Sequence, residues 1–173
     1  MLKEALRYLG IQGEADRDTV RLVSECMETV KRAASPSFVS RTFSMEEFMP
    51  FLFGEDLKHH LAGAKAVFVF AATLGHGVDL AIRKAQAVDM ARAAGIDACA
   101  AAYIENYCDS IMPGGLPSYR RFSPGYGDYP LSVQPKLLKA IDAGRIGVST
   151  LDSFMLLPTK SVTAIVGMKE SEV

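Results

Sequence analysis

The stretch AVFVFAATLG, residues 66–75, constrains this fold more than any other part of the chain. An uncharged run of this length is far too short to span a bilayer, which takes about 20 residues as a helix, so it belongs in a protein core. Its Val and Phe content makes it a strand, and the lack of polar alternation implies cover on both faces. Such a strand needs partners. FVSRTF (38–43) alternates and is β-branched or aromatic at several positions, and residues 161–168, SVTAIVGM, form a second candidate at the C-terminal end. Residues 16–33 carry Val20, Val23, Met27 and Val30 at helical spacing, with Asp16 or Asp18 available as a cap. Ser44 and Glu47 have capping-box spacing for a short helix through Phe48. Two further helices are predicted at about 77–93 and 96–111 with Gly95 as the break, and another from a Ser132 cap to about 143, ended by Gly144. An extended segment and a turn at Pro158 to Lys160 lead into the last strand. Strands separated by helices and returning at the C-terminus predict a single α+β domain over residues 1–173, with a twisted mixed or antiparallel sheet and flanking helices.

Charge narrows the function. The chain has 19 Lys and Arg against 20 Asp and Glu, well mixed, for a net charge of −1. Without a basic face, nucleic acid is not an expected partner. The first 20 residues are charged throughout and contain no signal-peptide apolar segment, so neither a membrane nor export is expected and the location reads as cytoplasmic. Three cysteines form no CxxC, which suits a reducing compartment and cannot supply the four ligands of an ordinary iron–sulfur cluster.

Several groups could carry chemistry. Gly75-His76-Gly77 follows a strand and opens a helix; it reads either as a tight strand-to-helix turn or as an anion-binding loop, without the third glycine of a dinucleotide fingerprint. His59 and His60 are adjacent and point apart, which favours surface positions over a metal site. In helix 96–111, Ile96, Ala100, Tyr103, Tyr107 and Ile111 form an apolar stripe. The opposite side carries Ala98, Ala101, Ala102, Glu105 and Asp109: it reads either as an alanine floor that lets another surface or a ligand approach, with Glu105 facing it, or as a partly buried helix whose acids reach solvent.

Residues 112–130 hold four of the eight prolines and four of the fourteen glycines, a long connection of the kind that is usually functional or disordered. Its aromatic residues argue against disorder. Within it, RFSPGYGDYP (121–130) places Arg121 before a Pro124-Gly125 turn signal and Tyr126 after it. Arginine can grip a carboxylate through two parallel hydrogen bonds, and tyrosine offers a flat face and a hydroxyl. The loop is therefore either a stiff surface turn or the wall of a site for a zwitterionic ligand.

These residues also carry a resemblance. YRRFSPGYGDYP (119–130) resembles the Arg-x-x-Pro-Gly-Tyr loop of the activation domain of cobalamin-dependent methionine synthase. GVSTLDSFMLLPTKSVTAIVG (147–167) looks like the Leu-Thr-Glu-Ser … Pro-x-x-Ser-Val-Ser segment of that domain, and IDACAAAYIENYCD (96–109) is similar to its alanine-rich helix. The resemblance covers about residues 96–168, with a fainter echo over 60–95. It implies an α+β domain that binds S-adenosylmethionine in an extended groove and sits over the corrin ring while cob(II)alamin is reduced and remethylated. By position it implies that Arg121 holds the methionyl carboxylate, that Ser123, Pro124 and Gly125 line the groove, and that Tyr126 faces the corrin. Glu105 would lie near the ligand, and Val166 and Gly167 would touch it from the last strand.

The pattern departs from the family in three ways. The chain reads as roughly half the family domain's size, with no counterpart to the early aspartate for the ligand's amino group; Asp152 stands for glutamate and Ala164 replaces a Ser or Gly; and no cobalamin or substrate module is expected in it. The implied role is an accessory reactivation protein. Its partners would be a cobalamin-binding methyltransferase subunit lacking its own activation domain and a separate electron donor. The competing role is a non-catalytic module that caps a corrinoid domain without using S-adenosylmethionine. An unrelated small-molecule enzyme built on the Gly75–Gly77 turn is the third reading.

Overall fold

The computed structural model describes residues 1–112 and 121–169. Tyr119, Arg120 and the rest of 113–120 lie outside the described residues. Three strands form one sheet: β1 (Ser37–Ser44), β2 (Ala66–Thr73) and, after a two-stranded hairpin of β3 (Ser149–Thr150) and β4 (Leu156–Leu157), β5 (Ser161–Met168). Their order is β1-β2-β5 and every pairing is antiparallel, so the sheet is antiparallel rather than mixed. The uncharged run is its centre, and seven of the eight β2 residues are buried. β1 is an edge strand with Arg41 and Thr42 exposed; charge on an exposed edge discourages further strand pairing.

One face of the sheet is covered by helices α1 (Leu2–Tyr8), α2 (Arg17–Ala33), α5 (His76–Gln86) and α6 (Met90–Ser110). Phe70, Ala72, Ala164 and Val166 point into that core. Val67, Val69, Ala71 and Ile165 point the other way. There they meet the short helices α3 (Met45–Phe48), α4 (Glu55–His60) and α7 (Gln134–Ala140), together with Tyr129. Alternation along β2 and β5 thus feeds two separate cores. Asp16 caps α2 by accepting from the backbone of Asp18 and Thr19, both at 2.9 Å, and the Ser44–Glu47 capping box is present.

Two expectations are corrected, at Gly95 and Ser132, and one open reading is settled. Gly95 does not break a helix: α6 runs unbroken from Met90 to Ser110, and the break falls earlier, where Asp89 caps α6 at Arg92 N–H, 3.0 Å away. A Cβ at Gly95 would lie 2.8 Å from Cys26 Sγ, so the glycine permits α2 and α6 to pack closely. The alanine side of α6 takes the second of its two readings: Ala98 and Ala102 are buried and Ala101 is half-buried, while the Glu105 and Asp109 carboxylates reach solvent. Ser132 caps nothing. A 3-10 turn over Leu131–Val133 precedes α7, which ends at Ala140.

The Gly75–Gly77 turn takes its bland reading. A Cβ at Gly77 would stand 2.2 Å from the Ala33 carbonyl oxygen, so the glycine is required where α5 starts against the end of α2. His59 is exposed, and the His60 ring lies 5.1 Å from that of Phe122. Burial pushes the Cys99 and Cys108 thiols up to about 12. No helix among the described residues is long and apolar enough to cross a membrane.

Candidate functional site

The segment after Arg121 is fastened on three sides. Phe122 pairs with the free edge of β5, its N–H donating to Ile165 O at 3.0 Å and its C=O accepting from Ile165 N–H at 2.7 Å. Tyr129, 1% exposed, anchors the far end in the second core, with the Phe122 ring 6.1 Å away. Between them, Tyr126 N–H donates to Ser123 O at 3.1 Å, closing the turn announced by Pro124-Gly125. The third tie is Asp128. Its carboxylate accepts from Glu55 N–H at 2.6 Å and Asp56 N–H at 3.1 Å, and the Asp56 carboxylate accepts from Asp128 N–H at 3.1 Å. Helix α4 starts at a glycine that offers no side-chain cap, so Asp128, over seventy residues away in sequence, supplies one.

Those bonds to the ionised form hold the Asp128 carboxyl below its ordinary pKa, the bond from Glu55 contributing most. The folded value is depressed, so the stabilising contribution is complete above about pH 4 and is lost as pH falls through the lowered value. Asp128→Asn is therefore expected to melt lower than the wild type at pH 7, with the gap closing below about pH 4; thermal scans across pH check this.

Beside the fastened turn lies an open cleft of about 490 Å³, within the range of small-molecule sites. One wall is Glu105, Ser123, Pro124, Gly125 and Tyr126; the other comes from Leu151, Met155 and Leu156 of the hairpin. Leu131, Gln134, Thr159 and the first residues of β5, Ser161 to Thr163, complete it. Thr159 is held by Asp79 of α5, whose carboxylate accepts from its N–H at 3.0 Å and from its hydroxyl. Lys160 pairs with Asp97 of α6 at 2.9 Å. Both sides of the cleft are thus tied to the body of the domain.

Of the eight residues singled out in the sequence, five meet in this wall: Glu105, Ser123, Pro124, Gly125 and Tyr126. Arg121 adjoins it through Glu105. Its Nη2 donates to Glu105 Oε2 at 2.6 Å and pairs with Asp109 Oδ1 at 3.1 Å, while Nη1 is buried with no hydrogen-bond partner among the described residues. Glu105 therefore does not face the cleft as a free anion; it shares the guanidinium with Asp109, and the three groups carry one net negative charge.

Val166 and Gly167 are not brought to the cleft. Val166 is buried in the helix-side core, and Gly167 packs against Leu61 and Ala64. At about 3.3 Å per residue, Gly167 lies roughly 13 Å along β5 from Thr163, so the last strand contributes its beginning instead. Gln134 and Thr163 escaped the sequence reading. Ser161 and Thr163 alternate with apolar neighbours and could have been found as a polar face of that strand; Gln134 carried no signal.

Among the described residues no group of three or more His, Cys, Asp or Glu side chains could hold a metal ion. No family model matches the chain, and no curated protein matches its sequence. Its mixed helices and small antiparallel sheet match the fold seen in the crystal structure of the MetH reactivation domain bound to AdoHcy. The TM-score is 0.66 at 14% identity, covering 96% of this chain and 74% of that one; the likeness is one of fold.

Proposed function

We propose that this chain binds S-adenosylmethionine in the cleft beside the 121–129 turn and supports reductive remethylation of cob(II)alamin on a methyltransferase partner. The observation that carries the proposal is the meeting of Glu105 and the Ser123–Tyr126 turn on one open cleft, with Arg121 joined to it through Glu105, in a fold like that of a domain crystallised with AdoHcy. The residues fit such a ligand. S-adenosylmethionine bears one carboxylate and two cationic centres, the ammonium and the sulfonium; Arg121 with Glu105 and Asp109 offers one cation and two carboxylates. In this arrangement Asp109 supplies a partner for the ammonium, whose family aspartate has no counterpart in the sequence.

Cobalamin on the partner would supply the cobalt that accepts the methyl group. This chain would hold the donor and shield it, a task of positioning rather than acid–base chemistry. Tyr126, 57% exposed, stands with Leu151 and Met155 at the cleft, and all three are exposed apolar surface suited to a flat partner. One observation favours the second reading, a corrinoid-capping module without S-adenosylmethionine: Arg121 Nη2 is already occupied by two carboxylates of its own chain.

Calorimetric titration with S-adenosylmethionine decides between the two readings; binding supports the first, and none leaves only the second. A visible-spectrum time course of a cobalamin-bearing partner with a reductant, with and without this protein, tests the reactivation step. Within the same reading, Glu105→Gln removes one carboxylate beside the sulfonium but none that the uncharged thioether needs. It should weaken S-adenosylmethionine roughly tenfold and S-adenosylhomocysteine much less. Equal losses for both ligands would place Glu105 in the fold rather than at the cation.

A further inference from the structure

Two residues that line the cleft carry a buried polar atom with no partner among the described residues: Gln134 Oε1 and Thr163 Oγ1. Their residues are 5% and 2% exposed. Buried polar atoms are nearly always hydrogen-bonded, because leaving one unpaired forfeits its bonds to water. Two such orphans, in residues that line one cleft, are polar groups that a ligand bound there would satisfy. The backbone adds to it. Ile165 turns its N–H and C=O outward to Phe122, so by alternation Thr163 turns its own toward the same edge, beside the cleft.

We infer that Gln134 and Thr163 are the specificity-determining residues of this site and that they read the aminopurine of the ligand; the inference rests on the S-adenosyl reading of the cleft. The chemistry is specific. A glutamine carbonyl oxygen needs a donor, and the exocyclic amine of adenine is one; side-chain amides pair with that edge of adenine by matching its donor and acceptor. The Thr163 hydroxyl can donate to a ring nitrogen. The charged end of the cleft, at Arg121 and Glu105, would then take the amino-acid end of the same ligand, with the apolar hairpin residues Leu151 and Met155 along its length.

The test compares S-adenosylhomocysteine with its analogue bearing hydrogen in place of the 6-amino group, by calorimetry on the full chain. The wild type should bind the analogue at least about tenfold more weakly, because a site built around a hydrogen bond rejects a ligand lacking it. Gln134→Met should erase most of that difference by weakening S-adenosylhomocysteine alone, and Thr163→Val should weaken both ligands alike. Neither atom has a partner to lose in the unliganded fold, so both variants should melt no lower than the wild type. Equal binding of the two ligands by the wild type would overturn the inference while leaving the S-adenosyl reading intact. If the wild type binds neither ligand, that reading fails and the inference with it.

Discussion

Replacing Arg121 with alanine is expected to weaken S-adenosylmethionine binding by about 2–3 kcal/mol, roughly 30- to 150-fold. A charge-assisted bond to a carboxylate is worth about this much when the site is partly shielded from water, and the Arg121 side chain is 20% exposed. The same substitution leaves Glu105 and Asp109, one turn apart on α6, without their common cation. Both carboxylates are 40% or more exposed, so screening holds the cost to the fold to about 1 kcal/mol or less. Ligand affinity should therefore fall far more than melting temperature, and calorimetry with a thermal scan separates the two. If affinity is unchanged, the guanidinium serves only to join the turn to α6.

A larger loss of stability is expected where α5 starts against the end of α2. Gly77→Ala places a methyl group 2.2 Å from the Ala33 carbonyl oxygen, a backbone atom that cannot rotate aside. Either α5 shifts away from α2 or the C-terminal turn of α2 opens, and both disturb the core around Val30 and Val78. About 3 kcal/mol is the expected cost, or roughly 6–12 °C in Tm for a chain of this size. Because Asp79 of α5 also holds Thr159 in the cleft wall, a variant in which α5 shifts should lose ligand affinity as well as stability. An unchanged Tm would mean that α2 and α5 are not packed as described.

The sheet was legible in the sequence because its strands have the composition of their surroundings. β2 is apolar up to its last residue, Thr73, because both of its faces are covered, and β5 spans the 161–168 expected from its β-branched residues. Helix α2 announced itself through Asp16 and its apolar spacing. Gly95 misled, because a glycine that admits a neighbouring helix looks the same in sequence as one that ends its own. The alanines of α6 left two readings open for a related reason. Small residues signal close approach without saying what approaches, and α6 packs against α1, α2 and α5.

At the site, the 121–129 turn could be read from Pro124, Gly125 and Tyr126, whose local chemistry is strong. What holds it could not be. The Asp128 cap on α4, the Asp79 grip on Thr159 and the Glu105–Arg121–Asp109 cluster all join residues distant in sequence, and no periodicity records them. Val166 and Gly167, taken by position from a resemblance, fell on the far half of the strand.

The central claim is that the cleft between the 123–126 turn and the 151–156 hairpin is the ligand site. Chemical-shift mapping of the isotope-labelled chain during titration with S-adenosylhomocysteine tests it most directly. The account predicts saturable shifts at Gly125, Tyr126, Gln134, Met155 and Thr163, all of which line the cleft, with Gly167 and the α1–α5 surface around Tyr8 and Gln86 undisturbed. Shifts centred on Tyr8, Gln86 and Ala94, or no saturable shifts at millimolar ligand, would contradict it.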